Sequence, residues 1–296
     1  MAGVKVGLVG AGPWAELFHA PMITGGPETE LAAVWSRRPE PAQQLAASTG
    51  ATAAGSLEEL LDACEAVVFA VPPDAQAKLA PIAAKAGKAL LLEKPIGLDL
   101  AQSEALVDAV GATGVPTQVM FTNRYSPKVR DFLAKAKWST PIGAVGSYIN
   151  QAGLPGGTFA TPWRVDKGSL LDLGPHVLDL LDAAVGPIVE IEGQGDPRRW
   201  YVITATHENG AISQASMTLF APVVADVAGV KIYTEQGELN ADFVGIDGDP
   251  EVPGVIRREF AETTTSGTSH ELDLHRALYV QRLMDRAARS SRTTAA

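Results

Sequence analysis

The sequence predicts an α/β fold in which a doubly wound parallel sheet is followed by an α+β domain with a large, mostly antiparallel open sheet. Three observations predict it. A short β-branched run, Val4 to Val9, stops at a glycine turn, as a strand buried on both faces does. Strand-like runs then alternate with helical patterns of about 10 to 15 residues, the signature of a parallel sheet with crossover helices. Beyond Phe121 the strand-like runs follow one another across short loops instead, which points to an antiparallel sheet. The expected domains are therefore 1–121 and 122–296, the second ending in a helix.

In order, Leu31–Ser36 reads as the second strand. The segment PEPAQQLAAST reads as a helix stopped by Gly50, and Leu57–Ala63 as a short helix. Ala66–Val71 is a buried strand ended by Pro72 and Pro73, and Ala75–Ala86 a helix closed by Gly87. Leu90–Leu92, the helix Asp99–Gly111 and the strand Thr117–Phe121 complete the first half. In the second half Val145–Gln151, Ile188–Gly193, Trp200–His207, Ile212–Phe220, Val230–Thr234 and Gly237–Phe243 read as strands. Asn209-Gly210 is a hairpin turn between two of them. One helix, about Leu170–Val185, interrupts the series, an amphipathic helix covers Glu271–Ala288, and the closing SSRTTAA is expected to fray.

Composition narrows the function classes. With 24 basic and 34 acidic residues the net charge is −10, and no basic block offers a nucleic-acid or anionic-membrane surface. The single Cys64 rules out an intramolecular disulfide framework and a cysteine zinc cluster, suits a reducing compartment, and reads as a buried packing residue. No stretch of about 18 apolar residues reads as a membrane span, so a cytoplasmic protein is expected.

The first turn carries the clearest chemistry. Gly10, Gly12 and Ala15 form G-x-G-x-x-A: one glycine for the tight turn, one for close approach of backbone to a pyrophosphate, and a small residue for packing of helix on strand. With Pro13 and Trp14 they make the expected phosphate loop at a helix N-terminus. Enzymes using NAD commonly place an acid at the end of the second strand; here Ser36, Arg37 and Arg38 stand there, which favours NADP over NAD. Two solvated arginines in a loop are the alternative. Pro72, Glu93 and Lys94 follow later strands and would face the cofactor crevice, although a lysine there also suits a solvated turn. Farther on, Asp172 and His176 are four apart, so on a helix they share a face with Asp179 close by; Pro175 either starts that helix or kinks it. A carboxylate beside an imidazole suits proton removal from a hydroxyl, while a capping Asp and a core His are the plainer alternative.

Taken together, GxGxxA, EKP at 93–95 and LLDLGPHVLD at 170–179 resemble the Gfo/Idh/MocA oxidoreductases, the glucose–fructose oxidoreductase and inositol dehydrogenase family. FTNRY at 121–125 and the closing helix add to the likeness. The resemblance implies a Rossmann domain, Lys94, Asp172 and His176 as the catalytic set, and Arg124, Trp163 and Arg164 near the substrate. It also implies a second-domain sheet that packs against another copy, giving a homodimer or homotetramer. The chain departs from the family pattern around Gly168 and at Pro73 and Gln76, so loop shape and cofactor contacts there cannot be carried over. Hydride transfer between NADP and a sugar, cyclitol or polyol is the expected reaction. A cofactor-sensing regulator of the same fold, or an enzyme that recycles bound NAD while cleaving or oxidising sugars, are the alternatives.

Overall fold

The computed structural model describes residues 3–290; residues 291–296, which hold most of the tail expected to fray, lie outside them. The chain divides into two compact units. The first comprises residues up to Phe121 together with Asp249–Leu278, and the second Thr122–Gly248 with the chain from Tyr279 onward. Asp249–Leu278 thus groups with the first unit, whereas the sequence pattern assigns it to the second domain. Its helix α9 (Glu251–Ser266) packs across the sheet of the first unit, and Arg257 bonds Glu28 at 2.7 Å there.

The first unit is a six-stranded parallel sheet in the order β3-β2-β1-β4-β5-β6. Its strands are β1 (Val4–Val9), β2 (Thr29–Trp35), β3 (Thr52–Ala53), β4 (Ala66–Phe69), β5 (Ala89–Leu92) and β6 (Thr117–Val119). Every residue of β4 and β5 is buried, as continuous apolar runs in a doubly covered sheet must be. The helices α2 (Pro39–Thr49), α3 (Leu57–Asp62), α4 (Pro73–Lys85) and α5 (Leu100–Gly111) connect the strands. Their ends follow local chemistry: Ser56 and Asp99 accept N-cap bonds, Pro73 opens α4, and Gly50 closes α2 at φ 77°. Strand order reverses between β1 and β4, the position at which ligands bind in open sheets. Cys64 is a buried packing residue under β1, and burial pushes its thiol up to about 11.

The second unit is a six-stranded sheet in the order β12-β11-β7-β10-β9-β8. Its strands are β7 (Pro141–Ile149), β8 (Ile188–Asp196), β9 (Trp200–His207), β10 (Ile212–Thr218), β11 (Val227–Thr234) and β12 (Gly237–Asp242). All pairs are antiparallel except β7 with β10, and the Asn209-Gly210 turn joins β9 to β10. Helix α8 (Ser169–Val185) lies on one face against β7, β9, β10 and β11. The unit also holds α6 (Pro127–Ala136) and α7 (Pro162–Lys167), which the sequence pattern does not signal. Helix α10 (Leu274–Ser290) belongs to both units in turn. Among the described residues no helix is long and apolar enough to cross a membrane.

Candidate functional site

In the first unit the glycine turn sits at the strand-order reversal. Gly10 has φ +119°, and a Cβ there would lie 2.3 Å from the Ala70 carbonyl oxygen at the end of β4, so only glycine lets the two strand ends approach this closely. A Cβ on Gly12, by contrast, would meet no atom within 4 Å. The backbone at Gly12 is therefore open to a ligand, and Ala15 behind it is fully buried. Helix begins at Pro13, which has no N–H to lose, and Trp14, then widens into a π turn over Ala15–His19 before α1 (Ala20–Thr24).

Beyond the end of β2, a cleft of about 310 Å³ is lined by Trp35, Ser36, Arg37, Pro39, Gln43 and Ala54 among others. Arg37 and Arg38 are exposed, and no carboxylate lines the cleft. The Ser36 hydroxyl donates to the Arg38 carbonyl, which fixes the turn that carries both guanidiniums. An open glycine backbone at the strand-order reversal and a cleft beside β2 that Arg37 lines together fit a dinucleotide in this unit.

At the end of β5, Glu93 is held by Gln76 of α4 through two 2.8 Å bonds between the side-chain amide and the Glu93 main chain. The Glu93 carboxylate turns inward and accepts from the Trp14 indole and from His19, each at 2.7 Å. Lys94 follows, partly buried, ahead of a cis bond to Pro95. Pro72 stands at the N-cap of α4. The sequence pattern singles out Glu93 but gives no sign of His19 as its partner, because the contact spans 74 positions.

In the second unit the motif residues gather on α8. Every residue of this helix except Ala183 is buried, yet Asp172, His176, Asp179 and Asp182 lie along it. Pro175 neither starts nor ends the helix, which runs through it. Arg164 Nε donates to Asp172 Oδ2 at 3.0 Å, and its guanidinium lies 4.8 Å from the centre of the Trp163 ring and 5.8 Å from that of Phe159. Arg124 Nη1 reaches both Asp179 oxygens at 3.1 and 3.2 Å. Asp182 accepts from the Tyr279 hydroxyl at 2.6 Å and from the Ile188 N–H at 3.0 Å. Buried carboxylates require such partners, because an unpaired one costs several kcal/mol, about the stability of a small domain.

Tyr148 on β7 completes the group: its ring centre is 6.0 Å from that of His176. Burial first, and then the Asp172 charge, push its phenol well above the ordinary tyrosine range, so it stays a neutral hydroxyl donor. Nothing in the pattern of β7 marks Tyr148; its place beside His176 comes from the packing of helix on sheet. Chemically, α8 offers an imidazole one turn from a carboxylate that an arginine holds in place, with a phenol beside it.

Residues 4–121 match the model of the oxidoreductase family with an NAD-binding Rossmann fold, GFO_IDH_MocA. The chain is 34% identical to inositol 2-dehydrogenase of Rhizobium meliloti over 126 residues, 42% of this chain and only 38% of that protein. It is 28% identical to scyllo-inositol 2-dehydrogenase (NAD(+)) of Bacillus subtilis over 278 residues, 91% of this chain and 79% of that one. The crystal structure of a myo-inositol dehydrogenase from Corynebacterium glutamicum superposes with a TM-score of 0.85 at 19% identity, covering 98% and 96% of the two chains, which is a likeness of fold.

Proposed function

We propose that this chain is an oxidoreductase of the Gfo/Idh/MocA type, a reading supported by the family match over residues 4–121 and by the inositol dehydrogenase relatives, and that it moves a hydride between a nicotinamide dinucleotide, NADP in preference to NAD, and a carbinol or carbonyl carbon of a sugar, cyclitol or related polyol. The single observation that carries the reading is the Asp172–His176 pair, an acid and an imidazole on consecutive turns of a buried helix, with the acid held by Arg164. A protein that only sensed the cofactor would gain nothing from burying them.

In this reading His176 takes the proton from the substrate hydroxyl as general base. Asp172, fixed by Arg164, favours the imidazolium that results and orients the ring. Lys94 stabilises the developing alkoxide with its positive charge. Arg124 and the Trp163–Arg164 stack hold the substrate side of the pocket, and the neutral Tyr148 hydroxyl donates to a substrate oxygen. Gly10, Gly12, Pro13, Trp14 and Ala15 form the phosphate loop, with Pro72 on the strand-end turn beside it. Ser36, Arg37 and Arg38 hold the ribose 2′-phosphate of NADP; the absence of a carboxylate among the cleft residues supports this preference.

A screen over sugars, inositols and polyols with NADP and NAD side by side tests the reaction. The expected result is nicotinamide reduction with at least one such substrate, faster with NADP. Replacing His176 with Ala or Lys94 with Ala is expected to lower kcat by about 10²–10⁴ while leaving nucleotide binding near wild type. Unchanged kcat in both variants would remove the assigned roles, and activity with NAD alone would remove the preference.

We also place self-association on the sheet face opposite α8. There the residues alternating with the buried ones include the exposed Val145, Ile212, Val227 and Tyr233. Light scattering at micromolar concentration is expected to give a dimer or tetramer; a monomer would contradict it.

A further inference from the structure

Residues five apart do not face the same way on an α-helix, because 3.6 residues per turn sets them about 140° apart. Trp14 and His19 are five apart, yet the indole Nε1 and the imidazole Nε2 both reach Glu93 Oε1, at 2.7 Å each. The π turn between them accounts for this. Its widened helix, closed by the Ala20 N–H on the Ala15 carbonyl, brings residues five apart round to one side. An ionised carboxylate only accepts, so His19 Nε2 carries the proton. His19 Nδ1 is buried with no hydrogen-bond partner, which disfavours the other tautomer, since that one would bury an unsatisfied N–H. The Glu93 main chain, in turn, is locked to fully buried Gln76 on α4, and Lys94 is the next residue.

From this we infer that Glu93 acts on the cofactor without touching it: it is a positioning residue that ties the helix behind the glycine loop to the end of β5. The tie fixes the phosphate-loop backbone relative to Lys94. The geometry explains three features together: a π turn where an α-helix would serve for packing alone, a carboxylate directed inward at a strand end, and a buried histidine with one bonded nitrogen. The inference rests on the dinucleotide reading given above and assigns Glu93 a task within it.

The test is titration of the full-length chain with NADPH and with NADH, followed by nucleotide fluorescence, on wild type, Glu93→Gln, Trp14→Phe and the double variant. Glu93→Gln replaces one carboxylate oxygen by a donor, and Trp14→Phe keeps a ring while removing the N–H. Each single variant is expected to weaken binding about tenfold, the scale of a hydrogen bond to a charged group. The double variant is expected to lose less than the product of the two, because both remove the same contact. In cofactor-free protein the ¹⁵N-labelled Trp14 indole signal should shift upfield in Glu93→Gln. Binding as tight as wild type in both single variants overturns the positioning role, as does multiplicative loss or an unmoved indole signal. If Glu93→Gln does not fold, Trp14→Phe and His19→Phe decide in its place: wild-type affinity in both overturns the role, and loss in both that is less than multiplicative when combined supports it. Wild type that binds neither nucleotide overturns the dinucleotide reading itself, a result visible before any variant is made.

Discussion

His207 and His176 are both buried imidazoles, and their neighbours give them different tasks. His207 uses both nitrogens inside the fold: Nδ1–H donates to the Gly186 carbonyl at 2.6 Å, and Nε2 accepts from Ser213 at 2.8 Å. Burial, the largest influence, holds its pKa below the ordinary value of 6.5. The folded state therefore binds this proton less readily than the unfolded chain. The stability it secures is present above about pH 6.5 and is lost as pH falls toward the lower folded value. Urea midpoints measured from pH 8 to pH 5 should decline below about 6.5 in wild type, by at most about 1.4 kcal/mol per pH unit for this one group. In His207→Gln that part of the slope should vanish; parallel curves for the two proteins would refute the assignment. The exposed pair Arg37 and Arg38 makes a different prediction. Replacing both with Ala should raise the KM for NADP by about tenfold or more and leave that for NAD nearly unchanged, because only the 2′-phosphate loses a charged partner. An equal rise for both nucleotides would show that the pair contributes only to the general field of the site.

Among the elements, α8 depends on the glycine that precedes it. Gly168 precedes it at φ 75°, and a Cβ there would fall 2.4 Å from the Pro197 carbonyl oxygen, while Ser169 N–H bonds that same carbonyl at 2.8 Å. Gly168→Ala should therefore cost at least about 1–3 kcal/mol in urea denaturation and lower kcat, since Asp172 sits in the first turn; a variant of wild-type stability would show that the backbone there can relax. The same helix shows what sequence can convey. Asp172 and His176 are legible because a four-residue spacing is a local fact, and the apolar residues around them predict a buried helix. Strands β4 and β5 are legible for the same reason, and the N-caps Ser56 and Asp99 stand where the capping rule requires. Tyr148, Gln76 and His19 are not legible, since each acquires its partner from a distant element. The π turn is invisible because GPWAELFHAP satisfies a helical pattern at either pitch. Helix α9 escapes notice because its Gly254 and its threonine-rich last turn carry weak helical signals, although Val252, Val255, Ile256 and Phe260 bury a face.

At the scale of the whole molecule, the return of Asp249–Leu278 to the first unit matters more than any one motif. The family match ends at Phe121, but the parallel sheet it describes ends in β6, an edge whose polar groups need partners. The returning segment supplies them: His270 N–H donates to the Thr117 carbonyl at 3.0 Å, Val119 N–H to the Leu272 carbonyl at 2.6 Å, and Ser269 Oγ accepts from Thr117 N–H at 3.1 Å. Arg257 adds bonds to Glu28 at 2.7 Å and to the Met22 carbonyl at 3.2 Å, and Phe260 is 1% exposed. A fragment of residues 1–121 should therefore expose both an unpaired edge and the apolar surface under α9, and aggregate when expressed alone. Joining 249–278 to it through a flexible linker should recover soluble protein that binds NADPH. In the full chain, Phe260→Ala should cost about 3–5 kcal/mol in urea denaturation. If 1–121 alone were monomeric, cooperative in unfolding and bound nucleotide like the full chain, then the returning segment would be an ornament on a self-sufficient sheet, and the first unit would end at Phe121.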